Sequence, residues 1–118
     1  MENIAPEITR QRLLIEGLYT KDIGKADVED FLTSLATELN LRFYGSPIVH
    51  APGGLGKDEN EGVDAFLPLI DSGISLYVWT KAKFFALVLF TCKFFDSERA
   101  LQFTKEYFAA SKVVSKGF

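Results

Sequence analysis

Apolar and polar residues change rhythm several times along this chain, and each change marks an expected element. Met1 to Thr9 is polar, contains Pro6 and has no period, which reads as a loose amino-terminal arm. Arg12 to Tyr19, containing Leu13-Leu14-Ile15-Glu16-Gly17-Leu18-Tyr19, alternates imperfectly and reads as a first strand. The period then lengthens. Val28, Phe31, Leu32, Leu35, Ala36 and Leu39 recur at helical spacing, with Asp27 as the expected N-cap and Asp30 three positions on.

Arg42 to His50 suggests a second strand, interrupted near Gly45 and Pro47, and the stretch 51–62 is a Gly-rich, charged loop. Three apolar segments follow, Val63 to Ile70, Ile74 to Thr80 and Phe84 to Cys92, joined by turn-like Asp-Ser-Gly and Thr-Lys-Ala-Lys connections. Consecutive antiparallel strands are the expectation. Asp96 or Ser97 can cap a second helix whose Ala100, Phe103, Tyr107 and Ala110 share one stripe, and Lys112 to Phe118 suits a short last strand. Each amphipathic helix needs an apolar surface to cover, so this order predicts a single two-layer α+β domain over residues 1–118: a mainly antiparallel sheet with both helices on one face.

Composition narrows the partners. A chain of 118 residues can bury roughly two-thirds of its unfolded surface, and 47% apolar residues with eleven Phe point to an aromatic-rich core or interface. A net charge of -3 with scattered Lys and Arg leaves no footprint for a phosphate backbone, so nucleic acid is not an expected partner. The longest apolar run, Phe84 to Phe90, falls far short of the roughly 20 residues a membrane helix needs. One cysteine permits no internal disulfide, and nothing at the start resembles a signal peptide. A soluble, cytoplasmic protein is expected.

Several motifs fail on inspection. Ala51-Pro52-Gly53-Gly54-Leu55-Gly56-Lys57-Asp58 lacks the first Gly of a Walker loop and carries Asp where magnesium needs Ser or Thr. Cys92 and His50 are too few for a structural zinc site, and 57–61 matches no calcium loop. No metal is expected.

Asp71-Ser72-Gly73 is by itself an ordinary turn. Its surroundings give it another meaning. Gly62-Val63-Asp64-Ala65 runs through an apolar strand into Asp71-Ser72-Gly73, followed by Ser75-Leu76-Tyr77-Val78-Trp79 and then Phe90-Thr91-Cys92-Lys93. From about Arg12 to Ala110 this succession resembles the small prokaryotic S-adenosylmethionine decarboxylases, in which Gly-Val-Ser-Gly leads to Glu-Ser-His, Ser-Ile-His-Thr-Trp and Phe-Thr-Cys-Gly at matching spacing.

The resemblance implies that the chain cuts itself between Asp71 and Ser72, that Ser72 becomes a pyruvoyl cofactor, and that Cys92 supplies a proton to the substrate. A serine in a strained turn can attack the carbonyl before it, and elimination from the resulting ester leaves a ketone that serves as an electron sink. It further implies a small-molecule substrate, S-adenosylmethionine or a related amino acid, decarboxylated for polyamine (spermidine) biosynthesis by a homodimer, with Glu16 contacting substrate. Three family positions are altered. The histidine that assists elimination is Tyr77, whose phenol is a weak base at neutral pH. The second serine is Asp64, and the histidine beside the nucleophile is Gly73, with Thr80-Lys81 in place of Pro-Glu. An extended loop from Gly53 to Glu61 replaces a shorter segment near the family's substrate, and His50 is the one imidazole left to replace a base. Two functions therefore stand open: a pyruvoyl-dependent carboxy-lyase, or an unprocessed homologue that binds a ligand or a partner without catalysis.

Overall fold

The computed structural model describes residues 1–51 and 61–118; the loop reading at Gly53 to Glu61 therefore lies almost wholly outside the described residues. In chain order the elements are β1 (Gln11–Tyr19), α1 (Lys25–Glu38), β2 (Ile48–His50), β3 (Gly62–Leu69), β4 (Ser72–Trp79), β5 (Phe84–Thr91), α2 (Ser97–Phe108) and β6 (Ala110–Gly117). The strands form one sheet in the order β2-β3-β4-β5-β1-β6, antiparallel throughout. The expected two-layer α+β architecture is the one found.

Alternation decides which face each strand buries. Leu13 and Ile15 of β1, Val63, Ala65 and Leu67 of β3, Ile74 and Leu76 of β4, and Phe85, Leu87 and Leu89 of β5 enter one core with Val28, Phe31, Leu32 and Leu35 of α1 and Ala100 and Phe108 of α2. Aromatic rings form its centre: Phe85 stacks on Phe108 with centroids 4.2 Å apart, and Phe31 meets Phe108 edge-on at 5.0 Å. The Tyr107 hydroxyl joins the helices by donating to the Asp30 carboxylate at 2.7 Å. Burial and that carboxylate raise the Tyr107 pKa well above the usual phenol value.

Among the described residues, the opposite face carries no helix. Along it run Leu18, Phe66, Tyr77, Phe90 and Val114, all substantially exposed, so the Phe surplus divides between the core and this surface.

Element boundaries differ from the sequence expectation at four places. Helix α1 starts a turn early, with Gly24 as N-cap, while Asp27 lies at the third helical position and accepts the Gly24 N–H at 2.9 Å. Asp27 thus reaches back to the cap rather than being it. Between Arg42 and His50 only Ile48–His50 pairs as a strand, and Phe43 makes a single bridge to Leu69. Gly45 at φ 95° turns the chain there, and Pro47 has no N–H to offer a ladder. Strand β6 begins at Ala110 because Ala109 takes the left-handed conformation that ends α2. The fourth difference lies at Ser72.

Candidate functional site

Strand β4 begins at Ser72 itself, not at Ile74, so the β3–β4 connection is only Ile70-Asp71. Tight two-residue hairpins match strand twist by taking positive φ within the turn. Neither Ile70 nor Asp71 does so; the positive φ falls on Ser72, at 122°. A residue with a side chain held there stores about 1–3 kcal/mol. The backbone strain of the turn is therefore concentrated on one serine.

The neighbours of that serine are held from two sides. Ser72 pairs with Leu69 on β3 and with Thr91 on β5, and the next residue, Cys92, donates its backbone N–H to the Asp71 carbonyl at 2.9 Å. Cys92 is exposed and lies one position past Thr91, the residue that pairs with Ser72. Buried Thr91 donates its hydroxyl to the Lys93 carbonyl at 2.6 Å, bending the chain as β5 ends. Gln11 then binds Phe95 through both backbone groups, its Nε2 donating to the carbonyl at 2.9 Å and its Oε1 accepting the N–H at 3.0 Å.

On the other side stands Arg42, in the segment leaving α1. Its guanidinium donates to the Asp71 carboxylate at 3.1 Å, its backbone N–H approaches the same carboxylate at 3.4 Å, and its carbonyl accepts the Ile70 N–H at 2.9 Å. The Asp71 side chain is only 8% exposed. Hydrogen bonding from Arg42 holds its pKa below the usual carboxylate value, against the opposing effect of burial. Neither Arg42 nor Gln11 carried a sequence signal for this role, since each meets its partner across a long stretch of chain.

Gly73 lies directly under the Phe66 ring: a Cβ there would stand 2.6 Å from Cε1 and 2.7 Å from Cζ. The side chain absent at this position has its space filled by an aromatic from β3.

Asp64, Tyr77 and Glu16 occupy a different place. Cross-strand pairing sets His50, Asp64, Tyr77, Ala86, Glu16 and Val114 in one row across the uncovered face. Tyr77 is five residues along β4 from Ser72, about 17 Å at strand rise. The structure thus brings Ser72, Asp71 and Cys92 together, with Gly73 beside them. It sets His50, Asp64 and Tyr77 side by side in a second group, distant from Ser72 within one chain, with Glu16 in the same row two strands beyond Tyr77. Glu16 also borders a concavity of about 270 Å³ with Gly17, Leu18, Phe84, Lys112 and Val114.

This geometry defines a class: a two-layer α+β protein whose hairpin presents a strained serine behind a polarised carbonyl, with a cysteine at hand. The family model for S-adenosylmethionine decarboxylase matches residues 21–118. The chain belongs to the S-adenosylmethionine decarboxylase family. A crystal structure of the adenosylmethionine decarboxylase from Aquifex aeolicus VF5 shares its fold, with a TM-score of 0.67 and 16% sequence identity over 94% of this chain and 89% of that one. No curated protein matches the chain. Among the described residues, no helix is long and apolar enough to cross a membrane.

Proposed function

We propose that this decarboxylase-like protein generates a pyruvoyl group from Ser72 and uses it to decarboxylate S-adenosylmethionine or a related amino acid in polyamine synthesis. The observation that carries this reading is the pairing of Ser72 at φ 122° with a preceding carbonyl held by the Cys92 N–H at 2.9 Å. In the cutting step the Ser72 Oγ adds to the Asp71 carbonyl carbon, the Asp71–Ser72 C–N bond breaks, and the hydroxyl proton passes to the departing nitrogen. Negative charge grows on the Asp71 oxygen during this exchange. A fixed backbone donor at that oxygen stabilises the charge without reorganising, and release of the Ser72 strain favours the ester.

The residues present fit the group. β-Elimination breaks the Ser72 Cβ–Oγ bond with the Asp71 α-carboxylate leaving, and water then displaces the Ser72 nitrogen as ammonia to give the ketone, which supplies an electron sink for loss of carbon dioxide. The exposed Cys92, one position past the Thr91 that pairs with Ser72, is the proposed proton donor, and pairing with β3 and β5 keeps the new amino terminus at the start of β4.

A homodimer completes the proposal. Asp64 and Tyr77 stand too far from Ser72 to act on it within one chain, and the apolar outward face suits a facing copy that would bring one chain's row toward the other's serine. Tyr77 is an inefficient replacement for an imidazole in the elimination step, so slow maturation is expected. Incubation at neutral pH followed by intact mass measurement tests the reading: two fragments, the second beginning with a pyruvoyl group at position 72, are expected. A single full-length species after prolonged incubation, with no carbon dioxide released from labelled S-adenosylmethionine, would favour the unprocessed binding module.

A further inference from the structure

We propose that Arg42 is a positioning residue for self-cleavage, gripping the segment before Ser72 so that the Asp71 carbonyl is fixed for attack. This inference rests on the cleavage reading above.

The grip is unusual in having three points on two consecutive residues. The Arg42 carbonyl takes the Ile70 N–H at 2.9 Å, its N–H approaches Asp71 Oδ2 at 3.4 Å, and its guanidinium reaches Asp71 Oδ1 at 3.1 Å. The Arg42 carbonyl fixes the Leu69–Ile70 peptide against the segment leaving α1, and its N–H meets the Asp71 carboxylate. The guanidinium fixes rotation about the Asp71 side chain, which is buried while most of Arg42 remains exposed. Opposite it, the Cys92 N–H holds the Asp71 carbonyl at 2.9 Å. With Asp71 pinned through its carboxylate on one side and its carbonyl on the other, the turn cannot relax by rotating the Asp71–Ser72 peptide. The positive φ is displaced onto Ser72, where it favours cleavage. A loosened Asp71 would let the turn spread its strain and swing the carbonyl away from both Oγ and the Cys92 N–H. Misplacement by about 1 Å is enough to slow such a step on the order of a hundredfold.

Because Arg42 acts before the ester exists, its loss must slow ester formation itself. Hydroxylamine reports this step separately: it attacks the ester at the Asp71 carbonyl carbon, giving an Asp71 hydroxamate and a free Ser72 amine, and bypasses elimination. The experiment compares spontaneous and hydroxylamine-driven cutting of full-length wild type, Arg42→Ala, Arg42→Lys and the double variant Arg42→Ala with Asp71→Asn, by intact mass, with thermal melting alongside. The double variant removes the unpaired buried carboxylate that Arg42→Ala leaves.

Expected are a fall of roughly tenfold to hundredfold in both reactions for Arg42→Ala, an intermediate rate for Arg42→Lys, and partial recovery of Arg42→Ala by added guanidinium at a concentration that does not unfold it. The double variant should melt above Arg42→Ala and still cut slowly. Full-rate hydroxylamine cutting of Arg42→Ala, or a double variant that regains the wild-type rate, overturns the positioning role while leaving the cleavage reading intact. A wild-type chain that neither agent nor time can cut overturns both.

Discussion

Asp64 and Tyr77 face each other directly across β3 and β4, and His50 faces Asp64 from the other side. The imidazole missing at position 77 is thus present two strands away in the same row. Restoring it at 77 by Tyr77→His should leave stability nearly unchanged, because the site is exposed, and should accelerate spontaneous cutting by about 10² to 10⁴. Time-resolved intact mass checks the rate. If the row serves a facing copy, the rate should also fall when the protein is diluted below its association range.

Ser72 should reverse the usual strand preference between glycine and alanine. Ala in a strand ordinarily outranks Gly by roughly 0.5–1 kcal/mol, but a residue held at φ 122° penalises any side chain by about 1–3 kcal/mol. Ser72→Gly is therefore expected to be more stable than Ser72→Ala by about 1 kcal/mol. Urea denaturation of the two uncuttable variants provides the comparison; a more stable Ala variant would mean that the strain is absent.

The Asp71 carboxylate sets an acid limit. Its folded-state pKa lies below the unfolded value because Arg42 hydrogen-bonds the charged form, so the folded state binds fewer protons than the unfolded state in that interval. The stabilisation is complete above the ordinary carboxylate range near pH 4 and is lost as pH falls through the depressed folded value. Asp71→Asn should be less stable than wild type at pH 7, and the difference should shrink as acid is added. Melting curves between pH 7 and pH 2.5 test the trend.

Gly73→Ala should force the Phe66 ring off its seat. The clash at 2.6 Å is with the far end of a side chain already 39% exposed, so the ring can swing aside at a cost of about 1–3 kcal/mol. Combined with Phe66→Leu, the Gly73→Ala penalty should largely disappear, a coupling measurable by a double-mutant cycle. A histidine at position 73 is expected to need the same accommodation.

Period and turn chemistry made most of the fold legible. The i, i+3, i+4 stripe from Val28 to Leu39 and the three apolar runs after Val63 each became the element expected of them. Arg42 to His50 did not, because Gly45 and Pro47 outweigh the apolar residues around them. At the site, Ser72 and Cys92 were legible only through the resemblance of their flanking segments to the decarboxylase family, since Asp71-Ser72-Gly73 by itself reads as an ordinary turn. The grip of Arg42 was not: it depends on where the end of α1 falls against β3, a matter of tertiary packing. Nor could local pattern show that Asp64, Tyr77 and Glu16 share a row, which follows from register across four strands.

The strand order gives a cut at Asp71–Ser72 an unusual topology. The amino-terminal piece would own β2, β3 and β1, the carboxy-terminal piece β4, β5 and β6, and β1 is threaded between β5 and β6. Each piece taken alone would hold a pair of strands and one orphan, with a gap that only the other can fill. The two products of such a cut would be interlaced, one native particle migrating as two bands under denaturing conditions, and neither half is expected to assemble if synthesised without the other.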